Sequence, residues 1–347
     1  MPDPVLTSAI DRVASGQDLS ADEAAEVLAV IMSGDATEAQ IAGLLIALRT
    51  KGETVQELAG LARTMRAFAA PVTTSREELV DTAGTGGGRS TFNVSTTAAL
   101  IAAGAGCAVA KHGNRSATSS SGSADVLEAL GVCIDLEPER VGRCIDEVGF
   151  GFMFAPAHHQ AMRFVVPVRK ALGVRTIFNF LGPLTNPAGA QRQLIGVSDV
   201  GYTETMAGAL AILGVTRALI VSSEDGLDEL SISAPTTVVE VDGTDLRSYS
   251  FSPEDAGLST IADQGATAGG SPEQNADMTR AILDGESGPR RDLAVLNAGA
   301  AIYAAGRADD LAAGVQAAQA AIDDGSAART LEALVAQTHE LAYRDTP

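Results

Sequence analysis

The sequence is poor in aromatic residues and cysteine. It contains no tryptophan, 4% aromatic residues and three cysteines among 347 residues. The core is therefore expected to be aliphatic. The cysteines, Cys107, Cys133 and Cys144, show no C-x-x-C or other metal-ligand spacing. A zinc cluster or a redox dithiol is not predicted, and we expect free thiols in a reducing compartment.

Positive charge is also scarce, because 24 Lys and Arg residues face 44 Asp and Glu residues and the net charge is −20. Binding to nucleic acid or to an anionic membrane surface requires a basic face, so neither partner is expected. No apolar run approaches the roughly 20 residues of a membrane-spanning helix. The N-terminus has no basic segment followed by an apolar one, so no signal peptide is indicated. We therefore expect a cytoplasmic protein.

The hydrophobic residues, 46% of the total, follow two patterns along the chain. Up to Pro71 the pattern is helical, and capping boxes that begin at Ser20, Thr37 and Thr54 predict three successive helices. After Pro71, apolar runs of strand length alternate with helical patterns. This alternation indicates a mostly parallel sheet covered by helices.

We therefore predict an α/β protein with a small all-helical domain and a larger α/β domain with a mostly parallel central sheet. The helical domain is expected to cover residues 1–71, joined by part of 157–190. The α/β domain is expected to cover 72–156 and 191–347. Within it, residues 131–136 are predicted as a strand, and 236–243 with 246–251 as a hairpin.

A glycine-rich segment, loop one, runs from Gly84 to Thr91 between a strand-like run and a helix. It is neither a Walker A loop nor a Rossmann loop, because Arg89 stands where the first needs Lys and the second needs Gly. A glycine cluster alone is also compatible with a flexible turn. Its position before a helix N-terminus favours an anion site, since backbone amides and the helix dipole attract negative charge there.

A second polar segment, loop two, runs from Lys111 to Ser123 and also follows a strand-like run. Two cations, an imidazole and an amide lie within its first five residues, and several hydroxyls follow. A polar surface turn is the plain alternative. The combination favours binding of a diphosphate or a sugar phosphate.

A pair of carboxylates, Asp228 and Glu229, follows a third strand-like run. An isolated pair of this kind is most often a solvated acidic turn. Beside a phosphate site, however, the two side chains can hold Mg²⁺, which prefers oxygen ligands.

Together these segments resemble the anthranilate phosphoribosyltransferases, a branch of the nucleoside phosphorylase/phosphoribosyltransferase class II-like family. The resemblance covers nearly the whole chain. It rests on GTGG and TFNVST within 84–96, KHGNRS and SSSGSADVLEALG within 111–131, RTIFNFLGPLTNPA at 175–188 and GLDELS at 226–231.

The resemblance implies transfer of the phosphoribosyl group of 5-phosphoribosyl 1-diphosphate (PRPP) to anthranilate, with release of diphosphate. This is the second step of tryptophan biosynthesis from chorismate. It also implies a homodimer formed through the helical domains and Mg²⁺ as cofactor, two ions per subunit with PRPP bound. No covalent catalytic residue and no obligate general base are implied, because the aromatic amine is already neutral and nucleophilic.

The resemblance further assigns the binding residues. The implied metal ligands are Ser95, Asp228 and Glu229. Anthranilate is expected at Gly84, His112, Asn114 and Arg169. The implied PRPP residues are Gly84, Gly87, Gly88, Thr91, Asn93, Val94, Ser95, Thr96, Lys111, His112, Gly113, Asn114, Arg115, Ser116, Ala117, Thr118, Ser119 and Ser123.

Loop one departs from the family pattern, which reads GTGGD with one more residue before the threonine. The acidic residue is missing here, and we hypothesise that Arg89 contacts phosphate instead. Two other functions stay open: a sister phosphoribosyltransferase with another aromatic acceptor, and a non-catalytic nucleic-acid-binding relative, which the charge of −20 disfavours.

Overall fold

The architecture comes from a computed structural model, which describes residues 2–116 and 120–343. Seven strands and fifteen α-helices are present in these ranges. The strands are β1 (Leu79–Gly84), β2 (Ala108–Gly113), β3 (Phe150–Phe154), β4 (Arg192–Gly196), β5 (Arg217–Ser223), β6 (Thr236–Asp242) and β7 (Asp245–Phe251).

The helices lie on both sides of the sheet and in an N-terminal bundle. They are α1 (Pro4–Ala14), α2 (Ala21–Ser33), α3 (Glu38–Lys51), α4 (Val55–Ala67), α5 (Val94–Gly104), α6 (Ser123–Ala129), α7 (Pro138–Val148), α8 (Ala155–His158), α9 (Val166–Leu172), α10 (Phe178–Leu181), α11 (Thr203–Ile212), α12 (Pro272–Leu283), α13 (Pro289–Ala304), α14 (Leu311–Asp323) and α15 (Ser326–Tyr343). Short 3₁₀ helices occupy Gln160–Phe164, Gly182–Leu184, Val200–Tyr202, Pro253–Ala256 and Gln264–Thr267.

The three predicted capping boxes begin α2, α3 and α4. Ser20, Thr37 and Thr54 each accept a hydrogen bond from the backbone three residues on, and the side chain at that third position accepts one from the cap backbone. These reciprocal bonds satisfy amide groups that a helix start leaves unpaired. The prediction of three successive helices is confirmed.

The sheet has the order β3-β2-β1-β4-β5-β6-β7. Strands β1 to β5 pair in parallel, and β6 with β7 forms an antiparallel hairpin at one edge. The predicted mostly parallel sheet and its hairpin are confirmed. The strand predicted at 131–136 is wrong: this segment has no regular secondary structure and joins no sheet, and the Cys133 nitrogen donates to Thr338 Oγ1 (3.2 Å).

The two faces of the sheet belong to different hydrophobic cores. On β5, Leu219 and Val221 face the core that contains α5 and α13, whereas Ala218 and Ile220 face the core that contains α1 to α4 and α11. Successive strand side chains point to opposite faces, so one apolar strand serves both cores. This explains why the strand runs read as continuously hydrophobic.

The segment after β3 returns to the helical bundle. The helical run of this segment is interrupted just before α9. Pro167 lies in the first turn of α9, where its missing N–H removes no helical hydrogen bond. Helix α9 packs against α3, and Arg66 Nε in α4 donates to the Leu184 carbonyl (2.7 Å). The segment therefore links the bundle to the sheet.

The chain order creates a switch point beside β1. From β1 the chain proceeds to β2 on one side, and the later strands β4 and β5 lie on the other. Parallel sheets bind ligands at the carboxyl ends of strands near such a point.

Among the described residues, no helix is long and apolar enough to span a membrane.

Candidate active site

Three polar segments meet at the carboxyl edge of the sheet. Loop one begins at Gly84, the last residue of β1, and the acidic pair Asp228–Glu229 follows β5. Loop two begins within β2 rather than after it, because the strand extends through Lys111 and His112 to Gly113. Because β2, β1, β4 and β5 are adjacent, segments that are up to 145 residues apart in the chain lie side by side.

Loop one lies directly against the acidic pair. At Gly88 a β-carbon would lie 2.8 Å from the Asp228 nitrogen, closer than any side chain allows. Gly87 has a φ of +85°, which glycine adopts without strain. Gly84 ends β1, where a β-carbon would lie 3.3 Å from the Gly196 carbonyl oxygen. Glycine therefore lets the backbone approach both β4 and the carboxylates.

Arg89 is held away from the predicted phosphate role. Its Nη2 pairs with Asp225 Oδ2 (3.0 Å), and its Nη1 donates to the Gln264 carbonyl (3.1 Å). Asp225 is nearly fully buried, so the pair anchors the outer side of loop one. The hypothesis that Arg89 contacts phosphate is therefore corrected. The Thr91 hydroxyl donates to the Phe92 carbonyl (3.0 Å).

The first turn of α5 holds four of the implied PRPP residues. Asn93 is the N-cap but makes no side-chain capping bond, so the first amide groups have no cap from that side chain. Val94 and Thr96 are buried, and Thr96 Oγ1 has no partner among the described residues. Ser95 Oγ lies 3.5 Å from Lys111 Nζ. The turn offers amides and a hydroxyl toward loop one.

Asn93 is committed to a network that sequence reasoning missed. Its Oδ1 accepts from Ser121 Oγ (2.9 Å) and from Asn275 Nδ2 (2.8 Å), and its Nδ2 donates to the Ser121 carbonyl (3.1 Å). Asn275 Oδ1 accepts from the Gly270 nitrogen (2.7 Å), and Ser120 Oγ donates to the Gly270 carbonyl (2.7 Å). The start of α12 thus ties the N-cap of α5 to loop two.

Lys111 is a buried cation between β1 and α5. Its Nζ donates to the carbonyl oxygen and Oγ1 of Thr82, at 2.6 and 3.0 Å. Burial lowers the pKa of Lys111, and the charges of Asp81 and Glu229 oppose that effect. The ammonium group therefore stands behind loop one, beside Ser95.

The acidic pair is partly buried. Burial and the neighbouring charge of Asp228 raise the pKa of Glu229 to about 8, and burial raises the pKa of Asp228. Two desolvated carboxylates side by side repel each other, and a divalent cation would relieve this. Their oxygens, with Ser95 Oγ nearby, fit the donor set that Mg²⁺ prefers.

Asp81 is a fully buried carboxylate at this edge of the sheet that was not predicted. Its Oδ2 accepts from Asn186 Nδ2 (2.7 Å), and its Oδ1 accepts from the His112 nitrogen (3.1 Å). Burial raises the pKa of Asp81 to about 6. Asn186 also donates to the Ala110 carbonyl (2.8 Å), so this pair joins β1, β2 and the segment after α10. No local pattern reveals such a contact.

His112 lies at the start of loop two, against the segment that follows α10. Its Nδ1 lies 3.2 Å from the Gly182 carbonyl oxygen, and its ring centroid is 5.0 Å from that of His159. Burial, with His159 adding to it, lowers the pKa of His112 to about 3. A neutral ring with a proton on Nδ1 leaves Nε2 as an acceptor, and this atom is buried with no partner in the described chain.

Arg169 approaches the same segment from α9. Its Nη2 donates to Asn179 Oδ1 (3.4 Å), and its guanidinium carbon lies 5.7 Å from the centre of the Phe178 ring. It forms no ion pair with a carboxylate in residues 2–116 and 120–343. Asn114 is exposed at the tip of β2. His112 and Arg169 therefore border one segment, 178–182.

Loop two is folded onto α6. Arg115 pairs with Asp125 (2.9 Å) and with Glu128, so its charge is largely neutralised within the chain. The Ser116 nitrogen donates to Asp125 Oδ2 (3.1 Å).

Gly113 ends β2, and Ser123 Oγ donates to the Asn114 carbonyl across the loop (3.3 Å). The remaining implied PRPP residues, Ala117, Thr118 and Ser119, lie outside the described residues.

Comparisons with known proteins agree with this architecture. Residues 7–69 match the model of a glycosyl transferase family helical bundle domain, and residues 76–328 match that of a glycosyl transferase family a/b domain. The anthranilate phosphoribosyltransferase of Symbiobacterium thermophilum is 54% identical over 337 residues, which cover 97% of this chain and 98% of that protein.

Two solved structures are also similar. Anthranilate phosphoribosyltransferase from Thermus thermophilus has a TM-score of 0.91 and 47% identity, covering 95% of this chain and 99% of that one. The Saccharomyces cerevisiae enzyme in complex with PRPP and Mg has a TM-score of 0.88 and 27% identity, covering 96% and 98%. The chain therefore belongs to the anthranilate phosphoribosyltransferases, within the glycosyl transferase family that combines a helical bundle domain with an a/b domain.

Proposed function

We propose that this chain transfers the 5-phosphoribosyl group of PRPP to the amine of anthranilate, releasing diphosphate and a proton. The observation that carries the proposal is the meeting of loop one, loop two and the acidic pair at the sheet's switch point. The full-length similarity to enzymes of this activity supports it.

In this proposal PRPP lies across loops one and two. Gly84, Gly87, Gly88 and the first turn of α5 supply backbone amides to the diphosphate, while loop two receives the ribose 5-phosphate. Amide donors at a helix start suit phosphate oxygens. Asn93 and Arg115 mainly position the segments around PRPP. The polar groups of Asn93 are already bonded to Asn275 and Ser121, and those of Arg115 to Asp125 and Glu128.

Asp228, Glu229 and Ser95 would hold Mg²⁺ together with diphosphate oxygens, at two ions per subunit. The Mg–PRPP complex of the yeast relative supports the cofactor. Bound Mg²⁺ would supply positive charge to the departing diphosphate. Lys111 adds a second positive charge behind loop one, in a buried position where electrostatic stabilisation is strong.

Anthranilate would enter beside His112, Asn114, Gly84 and Arg169. The Arg169 guanidinium, which has no carboxylate partner in the described chain, suits the anthranilate carboxylate. His112 lies beside this position as a neutral ring, because burial lowers its pKa to about 3. The neutral aromatic amine attacks C1 as the C1–diphosphate bond breaks, so positioning carries most of the rate.

The direct test is turnover. Purified protein with PRPP and Mg²⁺ should consume anthranilate, seen as loss of its fluorescence, and release one diphosphate per anthranilate. Running 4-aminobenzoate and 3-hydroxyanthranilate in parallel tests the sister-transferase alternative. Turnover of another acceptor with none of anthranilate would contradict the proposed substrate.

The proposed assembly is a homodimer formed through the helical domain, residues 1–71 with part of 157–190. Exposed apolar side chains on this side of the molecule support it: Ile46 in α3, Val166 in α9 and Val174 after it. The three unpaired cysteines fit a cytoplasmic enzyme. Ile46→Glu should convert a dimer to a monomer in sedimentation analysis; an unchanged mass would contradict this interface.

A further inference from the structure

Most of the cations around loops one and two are already compensated. Arg89 pairs with Asp225, and Arg115 pairs with two carboxylates of α6. Lys111 is buried and surrounded by Thr82, Asp81 and Glu229. A diphosphate brings several negative charges, so an uncompensated cation beside loop one would attract it in addition to Mg²⁺.

Arg175 is such a cation, and its side chain contacts loop one. Its Nη2 donates to the Gly86 carbonyl (2.6 Å) and to Ser198 Oγ (3.0 Å), both neutral acceptors. It forms no ion pair in the described part of the chain, and its side chain is exposed. An arginine has five N–H donors, so Nε and Nη1 remain for a ligand.

The backbone of Arg175 is fixed from the helical bundle, because its carbonyl accepts from Arg49 Nη1 in α3 (2.9 Å). The guanidinium and the acidic pair lie against neighbouring glycines of loop one: a β-carbon at Gly87 would clash with Arg175 Nη2, and one at Gly88 would clash with Asp228 Oδ1. Arg175 is therefore close to the acidic pair while it is bonded to loop one.

We propose that Arg175 is a binding residue for the diphosphate of PRPP, with its exposed donors contacting the oxygens of this leaving group. The inference rests on the proposed function and adds a residue that lies outside both loops. Arg175 supplies positive charge beside loop one, where the Arg89 guanidinium is engaged with Asp225 and the Gln264 carbonyl. The charge assists departure, since negative charge accumulates on the diphosphate as the C1–O bond breaks.

The test separates the two ends of PRPP. Calorimetry measures binding of diphosphate with Mg²⁺, and separately of ribose 5-phosphate, to wild type and to Arg175→Gln. We expect the diphosphate affinity to fall roughly 10- to 100-fold, as for a lost charged hydrogen bond, with ribose 5-phosphate affinity unchanged. Arg175→Lys should recover part of the loss, because it restores the charge without the planar fork.

Arg163→Gln is the matched control. Arg163 is an exposed arginine of the same linking segment, with its guanidinium over the Phe164 ring (4.6 Å), and Phe164 packs at Gly34 of the helical bundle. This variant removes the same charge and should bind diphosphate like wild type. The proposal would be overturned if Arg175→Gln bound diphosphate with wild-type affinity, or if its affinity for ribose 5-phosphate fell as much as its affinity for diphosphate.

Failure of the inference is distinguishable from failure of the proposed function. Diphosphate binding requires no acceptor, so Arg175 is tested whether or not anthranilate is consumed. If wild type turns over anthranilate and Arg175→Gln binds diphosphate equally well, only the role of Arg175 is refuted.

Discussion

Asn275→Ala should separate the loop geometry of this enzyme from its general stability. Asn275 is 1% exposed and bridges Asn93 and Gly270 with hydrogen bonds of 2.8 and 2.7 Å. Each bond is worth about 1 kcal/mol net, and a buried group left unpaired costs about 1–3 kcal/mol. For two bonds and one unpaired group the total is about 3–5 kcal/mol.

Part of this energy should appear in substrate binding, because the lost bonds link Asn93, at the start of α5, to Gly270, which in turn holds Ser120 of loop two. If about 2 kcal/mol falls on PRPP binding, the KM for PRPP rises roughly 30-fold. The KM for anthranilate should change much less, since Asn275 does not contact the segment that borders Arg169. Steady-state kinetics at saturating anthranilate, with PRPP varied, measures the effect.

Thr279→Val provides the control on the same helix. Thr279 is buried and its hydroxyl lies 2.9 Å from that of Thr97 in α5, so the variant loses a hydrogen bond without touching either loop. It should lower stability with little effect on KM. An Asn275→Ala enzyme with a normal KM for PRPP, or with equal rises for both substrates, would refute the reasoning.

The geometry of the site gives four further predictions. Arg169→Ala should raise the KM for anthranilate by roughly 10- to 100-fold and that for PRPP far less; equal rises in both would contradict its role. Glu229→Gln should raise the Mg²⁺ concentration for half-maximal activity by more than about 10-fold in a metal titration. Arg89→Met should lower the unfolding midpoint by about 2–4 °C, with a near-normal KM for PRPP, because Arg89 anchors the loop. Burial lowers the pKa of His112 to about 3 in the folded protein, whereas about 6.5 is usual in an unfolded chain. The free energy of unfolding should therefore fall as the pH drops from about 6.5 toward 3. Urea unfolding at several pH values should show a smaller fall in the free energy of unfolding for His112→Gln than for wild type.

The sequence predicts those features whose cause is local. A capping box needs only residues three apart, which is why the starts at Ser20, Thr37 and Thr54 could be identified. Strand runs followed by glycine or charged residues marked the segments at the sheet edge. The sheet's switch point then brings these segments together, which the order of strands alone determines.

Features that depend on distant partners were not predictable. Arg89 looked free for phosphate until the fold placed Asp225, 136 residues away, within 3.0 Å. Asn275 meets Asn93 across 182 residues, and Asp81 meets Asn186 across 105. The run at 131–136 has the composition of a strand, but the Cys133 nitrogen donates to Thr338 of α15, 205 residues away, instead of to a strand. Pairing partners, not propensity, decided each of these outcomes.

A crystal structure with PRPP and Mg²⁺ tests the central claim most directly. It should contain the diphosphate over loop one, within hydrogen-bond distance of the first amides of α5, with metal on Asp228 and Glu229 and the 5-phosphate in loop two. PRPP bound away from the carboxyl edge of β1, or metal held without the acidic pair, would contradict the account.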